Sequence, residues 1–245
     1  MPTTADYQRW ITASLVFRCL FLAKNYLIVP DRLHRWCVVG VVCTIAVLIG
    51  CFITYAYVEK FNITSNFFYG RVKFSFVDRG YPEFFGYTLE LASCVLFVLF
   101  ASIHRKKCWY AWAAIMFVIF MDDALKLHET IGTLLSTGLG LSPVVGDLIG
   151  FASTGLLSGV FWVIGLGRLT GDDDFCAYLL FTVYFTLLIF FGVGIDAVHG
   201  VIGKNLSQTL LTLVEDGSEL LITAVIALSV LGMWSRQKAQ LNNYN

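Results

Sequence analysis

The chain has 245 residues, 58% of them hydrophobic and only 14% charged, where a soluble domain carries roughly a quarter charged residues. That composition belongs to a polytopic membrane protein. Seventeen Lys and Arg balance seventeen Asp and Glu with no long basic run, which excludes a nucleic-acid surface. The seven cysteines fall mostly inside apolar runs and form no C-x-x-C pair, so they read as small buried hydrophobes, not a disulfide framework or a zinc knuckle.

The N-terminal "MPTTADYQRW" has no basic stretch ahead of an apolar run, so it does not read as a cleaved signal peptide. The following "YQRWITASLVFRCLFLAKNYLIVP" is apolar but carries Arg18 and Lys24 in its middle, which predicts an amphipathic helix lying in the interface within an N-terminal segment, 1–35. A spanning helix needs about 20 mostly apolar residues. Six stretches meet that length, at about 36–57, 82–103, 108–135, 143–167, 176–199 and 208–234. They define one transmembrane domain, 36–234, followed by a tail, 235–245. In the 58–81 connection, "YGRVKFSFV" alternates in a way that predicts a short strand or hairpin. The expected fold is therefore an all-α integral membrane protein: a six-span helical bundle with an N-terminal interfacial helix and a short external hairpin-like loop.

Orientation follows from Lys and Arg in the connections. With the N-terminus inside, the cytoplasmic side receives Arg9, Arg18, Lys24, Arg32, Arg35, Arg105, Lys106, Lys107, Arg168, Arg236 and Lys238, against Lys60, Arg71, Lys73, Arg79 and Lys204 outside. This predicts both termini in the cytoplasm.

The ionisable residues of the spans then fall at one depth. Span 2 starts with Glu83, Tyr87 and Glu90; span 3 ends with Asp122, Asp123, Lys126, His128 and Glu129; span 4 starts with Asp147; span 5 ends with Asp196 and His199; span 6 starts with Glu215, Asp216 and Glu219. All lie at the outer level of a bundle whose strands of helix alternate in direction. Charge inside a bilayer costs several kcal/mol per group, so such residues face the bundle interior and mark a site. Asp122, Lys126 and Glu129 lie at i, i+4 and i+7, Asp196 and His199 at i and i+3, Glu215 and Glu219 at i and i+4, each set on one helical face. His128 points about 100° away from Glu129. Ser153, Thr154 and Ser158 are the only inner polar steps of span 4, and hydroxyls in a helix satisfy themselves on the backbone.

Ten of these groups are acids, and Lys126, His128 and His199 are the only bases among them. Pairing among themselves cannot neutralise them, so protonation, exposure at the rim or a bound cation is required. Glu83, Asp123 and Asp147 read as rim acids. A D-x-x-H beside an E-x-x-x-E, with two histidines, resembles in composition the carboxylate-rich di-iron or di-manganese sites of helical bundles, although those use two E-x-x-H motifs. Zinc fits the ligand count equally well, and carboxylates alone would suit calcium. Alkaline-ceramidase-type hydrolases use three histidines and retinal proteins a lysine in the last helix, and neither pattern is present.

The expectation is a divalent metal (Zn, Fe or Mn, with Ca as the all-oxygen option) held by His128, Asp196, His199, Glu215 and Glu219. Asp122, Glu129 and Lys126 would serve catalysis, and Tyr87, Glu90 and Asp216 would complete the wall. The corresponding function is a metal-dependent hydrolase or oxidoreductase acting on a membrane lipid or another hydrophobic small molecule. The alternatives are a cation- or proton-coupled transporter and a non-catalytic subunit with a structural cation.

Overall fold

The computed structural model describes residues 17–29, 31–76, 79–195 and 207–242. Eight α-helices occur among them: α1 (17–27), α2 (Arg32–Lys60), α3 (Tyr81–His104), α4 (Cys108–Leu125), α5 (Leu127–Leu139), α6 (Pro143–Leu166), α7 (Asp172–Ile189) and α8 (Ser207–Asn242). Six helical segments are long and apolar enough to cross a membrane: Arg32–Lys60, Tyr81–His104, Cys108–Leu125, Leu148–Leu166, Asp172–Ile195 and Thr209–Lys238. The architecture is a six-span all-α bundle.

Local chemistry sets the helix ends. Asp31 caps α2 by accepting the His34 N–H at 3.3 Å, and Ser142 caps α6 through Val145 N, with Pro143 in the first turn. Both side chains satisfy amide groups that a helix start leaves without partners. Asp172, Asp173 and Asp174 open α7, where the helix dipole favours negative charge. α5 ends at Gly140 with φ 66°, a left-handed conformation that glycine adopts without strain.

α8 is the central element, in contact with α2, α3 and α7. α3, α4, α6 and α5 follow as a chain of neighbouring helices, α3 against α4, α4 against α6 and α6 against α5. His34, 1% exposed, hydrogen-bonds through Nε2 with the Leu228 carbonyl at 3.2 Å, and Ser235 donates to Asp31, so both contacts tie the start of α2 to α8. One end of the bundle is filled by a core of Phe97, Phe100, Trp109, Trp112, Tyr178 and Phe181. Phe181 meets Phe97 edge-on at 5.1 Å and Trp112 lies 5.3 Å from Tyr178, which is the ring spacing of favourable aromatic pairs.

Two expectations need correction. The 58–81 connection contains no strand among its described residues: its hydrogen bonds are local, as in Phe74 N to Arg71 O and Ser75 N to Val72 O, and Val72–Phe74 form a single 3-10 turn. Its alternating aromatics stack on one another instead, Phe68 and Tyr81 each lying about 5 Å from Phe74 (4.9 and 5.1 Å). Second, the third span does not run to residue 135. It stops at Leu125, Lys126 takes a left-handed conformation (φ 53°, ψ 50°), and α5 starts as a separate helix.

Candidate functional site

At the end of the bundle opposite the aromatic core lies a cavity of about 410 Å³. α3 supplies Glu83, Tyr87 and Glu90 to its wall, the end of α4 Asp122 and Asp123, the break Lys126, α5 His128 and Glu129, and α8 Glu215, Asp216 and Glu219. All the expected site residues that are described therefore line one cavity. Asp196 and His199 lie outside the described residues, as does the side chain of Asp147.

The break at Lys126 organises this wall. Asp122, 8% exposed, accepts the His128 backbone N–H through Oδ1 at 2.8 Å, and its Oδ2 accepts from Thr154 Oγ1 at 3.3 Å. It thereby acts as a cap for α5 and a tie to α6. The His128 ring stacks on Phe151 with centroids 3.9 Å apart, and its Nδ1 stands 3.1 Å from Asp122 Oδ1, an ion-pair distance set off the line of a hydrogen bond. Burial pulls the His128 imidazole pKa down, but the carboxylate of Asp122, with Glu129 and Asp123 nearby, outweighs it, and the net displacement is upward. Lys126 Nζ reaches Glu129 Oε1 at 3.1 Å.

This corrects the face arithmetic of the sequence. Asp122, Lys126 and Glu129 do not share one helical face, because the helix between them is interrupted, yet the turn still brings all three to the cavity. His128 is not directed away: the same turn puts it on the wall. The catalytic role expected for Asp122 meets an obstacle, since both its oxygens already serve the fold.

Asp123 and Glu83, read as rim acids, also stand on the wall. Glu83 Oε2 accepts the Arg79 N–H and the Tyr87 hydroxyl, both at 2.7 Å, so Tyr87 is held by its own helix. Glu90, which stands with Asp123 on this wall, is 4% exposed and keeps its Oε2 buried without a hydrogen-bond partner among the described residues. The doublet Asp122–Asp123 was the available signal, since adjacent helical positions point about 100° apart and one of the two had to face a neighbouring helix. Thr154, Ser158 and Thr223 add hydroxyls to the wall, and Phe76, Phe151 and Phe185 add apolar area.

Close helix approach is built in by glycine. A Cβ on Gly150 of α6 would run into the backbone carbonyl of His128, one on Gly146 into that of Gly132, and one on Gly192 into the Glu219 carboxylate. Gly192 belongs to a short π-helical stretch, Phe190–Ile195, that continues α7 along the cavity. Such stretches widen a helix locally and are frequent at functional sites.

Among the described residues, eight carboxyl groups and two bases, Lys126 and His128, thus share the wall. Among the described residues, no three His, Cys, Asp or Glu side chains are grouped closely enough to hold a metal ion. Fold and site together define a multi-pass helical membrane protein with an acidic cavity at one end of its bundle. Residues 36–233 match the family described as "Domain of unknown function (DUF8692)", and the chain belongs to that family. No curated protein and no solved structure matches it.

Proposed function

We propose that the carboxylate cavity binds a divalent cation and, beside it, a lipid or another hydrophobic molecule, and that the protein is a metal-dependent membrane enzyme. The observation that carries this reading is the excess of carboxyl groups over bases on one wall, eight against two among the described residues, contributed by α3, α4, α5 and α8. Acids withdrawn from water need protons or a cation.

Glu90, Glu215 and Glu219 supply hard oxygen donors, and Asp196 and His199, on the segment that follows the π-helical stretch, are the proposed completing ligands. His128, stacked on Phe151 with its ring beside Asp122, is the proposed nitrogen donor. When bound, the cation would supply an activated water or a redox centre. Lys126 and Glu129 sit where they can hold an anionic headgroup and move a proton, and Phe151 and Phe185 offer apolar wall to a hydrophobic substrate.

Cation- or proton-coupled transport is the second reading, favoured by the Glu90 carboxyl group, which is 4% exposed and keeps Oε2 without a hydrogen-bond partner among the described residues. The aromatic core that fills the other end of the bundle weighs against it, since a through-path would have to open that core.

Elemental analysis of the detergent-purified chain, beside a His199→Ala, Glu215→Ala double variant, tests the proposal. Near-stoichiometric zinc, iron or manganese that is lost in the variant supports it. A well-folded wild type that stays metal-free after refilling sinks the enzyme reading and leaves proton-coupled transport. Calcium that raises thermal stability, with no other consequence, would assign the cation a structural role.

A further inference from the structure

A second cavity, of about 620 Å³, lies at the aromatic end, framed by α1, the α3–α4 turn, the start of α7 and the end of α8. Its wall carries three bases, Arg18, Lys106 and Arg236, and two acids, Asp173 and Asp174. Lys106 Nζ holds Asp174 Oδ1 at 2.6 Å, and Arg18 holds Asp173 at 3.2 Å. Arg18 also reaches Asp172 at 3.7 Å, so Arg18 and Lys106 are engaged by the acids of α7, and Arg236 has no ion-pair partner among the described residues. The Nε of Arg236 is buried and has no hydrogen-bond partner among the described residues.

Neutral donors share the wall with this guanidinium. Asn25 and Gln237 bring amides to the same wall, and Tyr26 brings a hydroxyl. Burial pushes the Tyr26 hydroxyl pKa up to about 12, so it remains a donor at any physiological pH. The rest of the lining is apolar, with Phe21, Leu22, Phe100 and Met233.

A guanidinium with no direct ion pair and an unpartnered buried Nε suits an oxyanion, and Arg suits phosphate because its planar fork can give two parallel hydrogen bonds. Apolar lining directly below the donors asks for a hydrocarbon chain. We infer that this cavity seats the phosphate of an amphiphile, with Arg236 as the residue that holds the charge and the apolar wall taking an acyl chain. The site is independent of the carboxylate cavity, and its failure would leave the proposed function untouched.

The test is thermal unfolding of the full chain in detergent, wild type and Arg236→Gln, with phosphatidic acid, with diacylglycerol, and with inorganic phosphate alone. Phosphatidic acid should raise the wild-type Tm by several degrees, diacylglycerol should not, and the variant should lose the shift. Inorganic phosphate that stabilises wild type but not the variant would equally uphold the Arg236 site while naming free phosphate as its source. A shift of equal size in the variant, or no shift from either phosphate source, would overturn the inference. Should the variant not fold, native mass spectrometry of wild type decides: retention of phosphatidic acid over diacylglycerol supports the site, and equal retention or none removes it.

Discussion

The Asp122 carboxylate accepts the backbone N–H of His128 at 2.8 Å, across the single residue at which the third span breaks. One side chain thereby stabilises the start of α5, faces the His128 ring and ties both to Thr154 of α6. Lys126 sits between them in a left-handed conformation that costs an L-residue about 1–2 kcal/mol.

Removing that cap should show as a stability loss. Asp122→Ala should cost about 1–2 kcal/mol, the usual range for a lost N-cap acceptor. Asp122→Asn keeps an acceptor oxygen and should recover most of it. Thermal scans of the purified variants read this directly, and equal losses for Ala and Asn would contradict the capping role.

The α5–α6 contact makes a sharper prediction. Gly150→Ala places a Cβ against the His128 carbonyl, backbone that cannot swing aside, and should destabilise by about 1–3 kcal/mol. Gly159→Ala, on the same helix with nothing within 4 Å, should be neutral or mildly stabilising. A denaturation pair that shows no difference between the two would mean that α5 does not lie against α6 as described.

A pH dependence follows from Asp31. Burial alone would raise its carboxyl pKa, but hydrogen bonds from the His34 backbone and from Ser235 outweigh it and hold the group below the usual carboxylate range. A depressed folded-state pKa stabilises above the unfolded value and is lost as pH falls through the lowered one. Wild type should therefore lose stability relative to Asp31→Asn on acidification below the ordinary carboxylate pKa, while the two differ by a constant amount near neutrality. Tm measured against pH for both would reveal a constant difference throughout if the contact does not form.

How far the sequence could be read depended on the kind of signal. Span positions were legible because length and hydropathy decide them: the expected 82–103 and 143–167 became Tyr81–His104 and Pro143–Leu166. The shared depth of the acids was legible for the same reason, and every described site residue reached one cavity. The break at Lys126 was not, because no Gly or Pro marks it; the Asp122 carboxylate that accepts the His128 N–H just past the lysine is a single side-chain contact that residue propensities do not encode. The "YGRVKFSFV" alternation misled because its aromatics satisfy each other within the loop, with no partnering strand among the described residues.

The central claim, that the carboxylate cavity holds a divalent cation, is tested most directly by equilibrium dialysis of the folded full chain against zinc, manganese and calcium, for wild type and Glu219→Gln. The account predicts saturable binding of about one ion per chain for one of the three, weakened roughly tenfold or more in the variant. A well-folded wild type that binds none of them saturably, or a variant that binds as tightly as wild type, would contradict it.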